Sequence, residues 1–140
     1  MKKSSSLCVL VFLISVFALS SCKKQAQPVA ITGKWYLKSY IAIERRNNVT
    51  DTLENDIVSV RDTSHYFEFY EGGKGVEAEL PFFTIDFNYQ VSGSSLFIPN
   101  GLDRIGPTSI ITRIDPFNIV IKGTQSSGDA VITRELHLME

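Results

Sequence analysis

An alternation of apolar and polar residues is the feature that most constrains the fold of this 140-residue chain. In its longest clean stretch, apolar side chains recur at every second position, at Phe83, Ile85, Phe87, Tyr89 and Val91. Successive side chains of a β-strand point to opposite faces, so a period of two indicates a strand with one buried face. Beyond residue 30, no segment keeps the apolar spacing of a helix. The pattern therefore predicts an all-β domain.

Turn signals divide this domain into eight or nine short strands. Gly and Ser residues between apolar runs indicate turns at Glu71 to Lys74, Ser92 to Ser95 and Gln125 to Asp129. Residues 44–48 are expected to form a polar turn, and residues 99–107 a longer loop. Short antiparallel strands with one apolar face fit an up-and-down β-barrel or a β-sandwich, and the alternation alone leaves both open.

The N-terminal segment carries a processing signal. A basic start, a mostly apolar segment from Leu7 to Leu19 and two serines precede Cys22. The apolar segment is shorter than the ~20 residues that a membrane-spanning helix needs. Small residues directly in front of a cysteine resemble the lipobox of bacterial lipoproteins. This resemblance implies that residues 1–21 are a signal peptide that is removed, and that Cys22 carries acyl chains such as palmitate.

The next ten residues are expected to connect the lipid anchor to the domain. Residues 22–31 are polar, contain Pro28 and show no apolar period, which is typical of a tether. The domain is then predicted to span residues 32–140. In some Gram-negative lineages, an acidic run after the lipidated cysteine directs lipoproteins to the cell surface, whereas Lys23 and Lys24 stand here. We therefore expect the periplasmic face of the outer membrane rather than the cell surface.

Charge and cysteine content exclude several classes of site. Loss of the leader removes two lysines and leaves twelve basic and fifteen acidic side chains, a formal charge of −3. Nucleic-acid binding requires a basic face, so no nucleic-acid partner is expected. Cys8 leaves with the leader and Cys22 is modified, so no thiol remains for a disulfide or a zinc-thiolate site. We expect a monomer that is attached to the membrane through the acyl chains on Cys22.

Three residues on the first and last strands favour a particular type of barrel. Gly33 and Trp35 open the first strand, and Arg134 lies on the last strand among residues of the apolar face. Gly-x-Trp with a late arginine resembles the signature of lipocalins, and residues 32–140 resemble the lipocalin-like domain of bacterial envelope lipoproteins. The resemblance implies a barrel in which the Arg134 guanidinium packs over the Trp35 indole and closes one end. A β-sandwich remains the alternative.

An eight-stranded barrel is just wide enough to be filled by its own side chains or to hold one small ligand. The leading expectation is therefore a non-enzymatic protein that binds a small hydrophobic ligand inside the barrel or at its rim. The alternative is a structural module with a filled core that interacts with another envelope protein through its outer surface. The parity of the strands predicts the residues that would line a ligand cavity: Leu37, Ile41, Phe67, Phe69, Phe83, Ile85, Phe87, Tyr89, Leu96 and Leu136.

No motif predicts an enzyme, a metal site or a cofactor. His65 and His137 have no second ligand at metal-binding spacing, although His65 shares the parity of the inward aromatic residues. Glu77 and Glu79 alternate with apolar residues and are expected to face solvent. Thr52 lies in an Asp-Thr-Leu sequence that resembles the acceptor of bacterial O-glycosylation systems.

Overall fold

The computed structural model describes residues 29–59 and 61–140, and this part of the chain contains ten β-strands and no helix. The strands are β1 (Gly33–Arg46), β2 (Val49–Ile57), β3 (His65–Tyr70), β4 (Lys74–Glu79), β5 (Phe83–Asn88), β6 (Gln90–Ser92), β7 (Ser95–Phe97), β8 (Thr108–Asp115), β9 (Asn118–Ser127) and β10 (Ala130–Met139). The predicted signal peptide, Cys22 and most of the predicted tether lie outside the described residues. Within the described residues, no helix is long and apolar enough to cross a membrane.

The strands form one antiparallel sheet that curves into a nearly closed barrel. Its strand order is β5-β4-β3-β1-β10-β9-β8-β7-β6, and each neighbour in this order is antiparallel. The two ends of this order are joined by the chain itself, because Tyr89 alone separates β5 from β6. The all-β, up-and-down lipocalin-like barrel is confirmed, and the sandwich alternative is wrong because one continuous sheet curves into a nearly closed barrel.

A β-bulge in β1 changes which residues face the barrel interior. Trp35 and Leu37 are buried before the bulge, and Tyr40 and Ala42 are buried after it. The pairing with β10 is irregular between Leu37 and Ser39, so one extra residue shifts the inward parity from odd to even positions. Ile41, predicted to line the cavity, therefore lies on the outer face and is only half-buried.

The predicted turn at residues 44–48 is shorter in the structure. β1 continues to Arg46, and only Asn47 and Asn48, both with positive φ, form the turn into β2. The pairing runs from Arg46 opposite Val49 to Ser39 opposite Ile57. β2 and β3 thus pair with the same edge of β1, β3 at its start and β2 along the rest. Val58 and Val60 suggest a second strand after this turn, but the structure has β2 earlier in the chain, at Val49–Ile57. The carboxylates of β2 interrupt the apolar alternation that would have indicated it.

One apolar cluster fills the barrel. It contains Ile31, Trp35, Leu37, Tyr40, Ala42, Phe67, Phe69, Phe87, Tyr89, Leu96, Ile98, Ile105, Ile111, Ile119, Ile121, Leu136 and Leu138. These residues come from seven of the strands, from the segment before β1, from the position between β5 and β6 and from the loop between β7 and β8. Their burial provides the main driving force for folding, since a domain without disulfides depends on its core.

The chain begins to pack against the barrel before residue 32, so the predicted boundary of the domain is too late. Val29 N donates to Gly93 O at 2.9 Å, and Ile31 is buried in the core. The Arg113 guanidinium donates to Ala30 O. Residues 29–31 therefore belong to the barrel rather than to a tether.

Candidate functional site

The closed end of the barrel is built around Trp35. Its Nε1 donates to Ile31 O at 2.7 Å, which fixes the preceding segment across the barrel end. The guanidinium of Arg113, on β8, lies 5.5 Å from the centroid of the indole ring. Gly33 has φ 129°, a conformation that side chains rarely adopt, and this explains the glycine of the Gly-x-Trp motif.

The arginine predicted to cover Trp35 is the wrong one. Arg134 lies directly opposite Ala42 on β1 and donates to Gln125 Oε1 at 3.1 Å. Ala42 is seven residues along β1 from Trp35, which corresponds to about 23 Å of strand. Arg134 does face the interior, as its parity predicted, but the antiparallel register puts it at the opposite end of the barrel.

Most of the predicted cavity residues pack against one another instead of lining a space. Leu37, Phe67, Phe69, Phe87, Tyr89, Leu96 and Leu136 are all buried. Phe69 contacts the rings of Phe87 and Tyr89 edge-on, with centroids 5.6 and 5.1 Å apart. These side chains therefore form the barrel core.

Two further cavity candidates lie on β5, at the end of the strand order. Phe83 is partly exposed, and its ring lies 6.4 Å from that of His65. Ile85 faces the same way as Glu77, directly opposite it, but is 44% exposed. Because β5 pairs only with β4, its other edge leaves Ile85 open to solvent. Ile85 is thus not an enclosed cavity residue.

A layer of ionisable side chains, from β3 and β4, lies inside the barrel. His65 Nε2 is 3.3 Å from Glu77 Oε1, and His65 Nδ1 is 3.5 Å from Glu79 Oε2. Glu77 is fully buried, so the prediction that it faces solvent is wrong. A neutral imidazole has one donor and one acceptor nitrogen. Of the two contacts, the one between His65 Nε2 and Glu77 Oε1 has hydrogen-bond geometry.

The hairpin register explains why Glu77 points inward. A loop of three residues puts Tyr70 opposite Lys74, and therefore Phe67 opposite Glu77 and His65 opposite Glu79. Directly opposite residues share a face of the sheet. The inward aromatic residues of β3 thus bring the carboxylates of β4 inside with them. The three-residue length of the loop predicts that Glu77 points inward. The alternation within β4 alone predicted instead that Glu77 faces solvent.

Residues 98–107, here called the capping loop, cover this polar layer. Ile98 and Ile105 of the capping loop are buried in the core. Arg104 Nη1 lies 3.3 Å from Glu79 Oε2, and its guanidinium lies 5.5 Å from the ring centroid of Tyr40. Burial raises the pKa of Tyr40, although the nearby Arg134 opposes this shift. The capping loop is therefore held by apolar burial and by one ion pair to β4.

Three buried polar atoms in the described part of the chain have no hydrogen-bond partner, namely Glu77 Oε2, Arg104 Nε and Ser109 Oγ. Such atoms in a native structure require an explanation, for example ordered water. No group of three or more potential metal ligands occurs among the described residues.

Two clefts are open to solvent. One, of about 370 Å³, is lined by residues of β4 and β5 and by Tyr70. The other, of about 430 Å³, lies at the tip of the β1–β2 hairpin and is lined by Glu44, Arg46, Asn47, Val49 and Asp51. Both volumes would suit a small molecule. Neither cleft is formed mainly by the residues predicted to line an interior cavity.

The hairpin cleft adjoins a surface that we call the β2 edge, residues Val49–Ile57. Eight of its nine residues are exposed. Glu54 and Asp56 face the same side, opposite Ala42 and Tyr40. Burial and the neighbouring Asp56 carboxylate raise the pKa of Glu54. Thr52 is also exposed here, which is compatible with its predicted glycosylation.

Comparison with known proteins adds no closer assignment. No protein family, curated protein or solved structure matches this chain. The fold itself, an all-strand and nearly closed antiparallel barrel, is compatible with a lipocalin-like domain.

Proposed function

We propose that this chain is a lipid-anchored protein of the bacterial cell envelope whose filled lipocalin-like barrel binds another envelope protein. Acyl chains on Cys22 hold it to the periplasmic face of the outer membrane. It is not an enzyme. The filled interior carries this proposal, because the residues expected to enclose a ligand form the barrel core.

The lipid anchor is supported by the sequence in front of Cys22. A single acyl chain gives only marginal membrane binding, and several chains give stable anchoring. Val29 packs at the closed end of the barrel, beside Gly93. Only six residues, 23–28, separate Val29 from Cys22. Fully extended, they span about 20 Å. The barrel therefore stays close to the membrane, with its closed end nearest to the anchor.

The polar layer also favours a filled barrel over a receptor for a hydrophobic ligand. An apolar ligand entering from the end covered by the capping loop would displace buried Ile105 and would meet the buried polar groups of His65 and Glu77. Desolvating these groups without new hydrogen bonds would cost several kcal/mol, in the range of about 2–7 for each polar group.

Two measurements on protein from native membranes test the proposal. Cys22→Ala should move the protein to the soluble fraction, whereas Cys8→Ala, which changes the leader only, should leave it in the membrane. Native mass spectrometry should show an acylated chain without a small molecule, and cross-linking in intact cells should give one discrete adduct with another protein. A co-purified molecule released on unfolding would instead favour ligand binding, and the absence of any adduct would contradict the proposal.

A further inference from the structure

β2 is the one strand in the described part of the chain that lies outside the barrel order. It pairs with β1 along its whole length, and no other strand contacts it. Its second edge therefore presents unpaired backbone N–H and C=O groups. Such an edge can accept an extended segment of another chain as an added strand.

Exposed apolar side chains accompany these backbone groups. Val49, Leu53 and Ile57 are 68%, 52% and 85% exposed, although each is an aliphatic residue that is usually buried. An added strand would cover part of this surface. Backbone pairing would provide affinity, and contacts with alternate side chains would provide selectivity.

The charge of β2 determines which occupant fits. The strand carries Asp51, Glu54 and Asp56 and no basic residue. The Arg104 guanidinium reaches Glu54 only at 3.9 Å and lies closer to Glu79, at 3.3 Å. A second copy of β2 would bring three further carboxylates against these three, and like charges opposed across a sheet are destabilising. A basic segment would neutralise them.

We propose that the free edge of β2 accepts an extended, basic segment of another envelope protein as an additional strand. This inference rests on the proposed function and identifies the surface and the partner chemistry. Acidic residues on β2 prevent pairing with a second copy and select a segment that carries lysine or arginine. The hairpin cleft beside Val49 lies next to one end of the added strand.

The test uses the mature acylated protein in nanodiscs of uncharged phosphatidylcholine. The probe is a labelled nine-residue peptide in which lysine alternates with threonine or valine, compared with the same peptide containing glutamate instead of lysine. Fluorescence anisotropy measures binding, and empty nanodiscs correct for lipid binding. We expect the lysine peptide to bind at least tenfold more tightly than the glutamate peptide.

Two variants localise the interaction. Asp51→Asn, Glu54→Gln and Asp56→Asn together should weaken binding of the lysine peptide about tenfold, given the usual strength of three exposed ion pairs. Glu71→Gln, Asp86→Asn and Glu140→Gln remove the same charge elsewhere and should change binding less than twofold. Amide hydrogen exchange should slow within residues 49–57 when the peptide is bound.

Equal binding of the two peptides, equal loss in the two variants, or slowed exchange elsewhere would overturn the inference. Dimerisation of the protein through β2, detected by analytical ultracentrifugation, would overturn it in favour of a second copy. If the β2 variant keeps the cross-linked partner in cells, the β2 edge is not the site but the proposed function stands. If the wild-type protein gives no adduct in cells, the proposed function itself fails.

Discussion

At the residue scale, contacts of single side chains connect separate strands, and a glycine permits two strands to pack closely. Trp35 joins the segment before β1 to β8, because its indole donates to Ile31 O and lies beneath Arg113. Gly75 permits a similarly close contact. A Cβ at this position would lie 2.4 Å from Phe87 Cζ and 2.9 Å from Glu68 O. These contacts lead to two predictions.

The effects of substituting Trp35 and Arg113 on the free energy of unfolding should not be additive. In a double-mutant cycle of Trp35→Phe with Arg113→Met, we expect a coupling of about 0.5–1 kcal/mol, the usual strength of an exposed cation–π pair. Denaturant unfolding measures it. The cycle of Trp35→Phe with Arg134→Met is the control and should give a coupling within about 0.3–0.5 kcal/mol of zero, because distant sites are additive. The reverse result would favour the Arg134 pairing that the sequence predicted.

Gly75→Ala should destabilise the barrel by about 1–3 kcal/mol, since the added methyl group displaces the Phe87 ring in a packed core. Gly106→Ala is the matched control, because a Cβ at Gly106 would have no neighbour within 4 Å. We expect the control to stay within about 0.5 kcal/mol of wild type. Similar unfolding midpoints for both variants would show that Phe87 relaxes without cost.

At the scale of elements, the pairing of β3 with β4 buries charge, and the hairpin of β1 with β2 exposes it. In the first pair, the register directs Glu77 into the interior beside His65. In the second, Glu54 and Asp56 lie together on one face of β2. Strand register, rather than composition, therefore decides where each carboxylate lies.

Removing one partner of the buried His65–Glu77 pair should lower the free energy of unfolding more than replacing both. His65→Leu leaves the Glu77 carboxylate buried without its partner, and we expect a loss of about 3–5 kcal/mol. His65→Leu with Glu77→Met should recover most of this loss, because an apolar pair of similar volume replaces the charges. His137→Leu, at a half-exposed contact with Glu135, should cost less than about 1 kcal/mol. A double variant no more stable than His65→Leu would contradict this account.

Stability should depend on pH through Glu54. Its pKa is raised in the folded barrel by burial and by Asp56. A carboxyl group with a raised folded pKa contributes stability below its ordinary pKa and loses that contribution as the pH rises through the folded value. Glu54→Gln should therefore gain in thermal midpoint relative to wild type between pH 4 and pH 7. Glu71→Gln, at an exposed turn, is the control, and an equal gain in both variants would rule out this origin.

At the scale of the whole molecule, the N-terminal segment completes the barrel. Ile31 is buried at the closed end, and the carbonyl groups of Ala30 and Ile31 accept hydrogen bonds from Arg113 and Trp35. The domain thus includes residues that would otherwise belong to a tether. Residues 29–31 are therefore part of the folded barrel.

Ile31→Ala should lower the free energy of unfolding by about 2–5 kcal/mol, the usual cost of deleting a buried aliphatic side chain. Ile114→Ala removes the same atoms from an exposed position and should cost less than about 0.5 kcal/mol. Chemical denaturation of the two variants provides the comparison. Equal losses would show that residues 29–31 are not part of the cooperative unit.

The sequence alone determined the strand class, the main turns and most of the core, because these depend on local alternation and turn chemistry. Phe67, Phe69 and Leu136 are buried as their parity predicted. Only the tertiary structure decided that Ile41 faces outward. The extra residue in the β1 bulge reverses which face of the sheet each later residue of β1 occupies. The tertiary structure also decided the partner of Trp35 and the burial of Glu77. Both depend on the register between strands, which joins residues that are far apart in sequence and leaves no local signal in either strand.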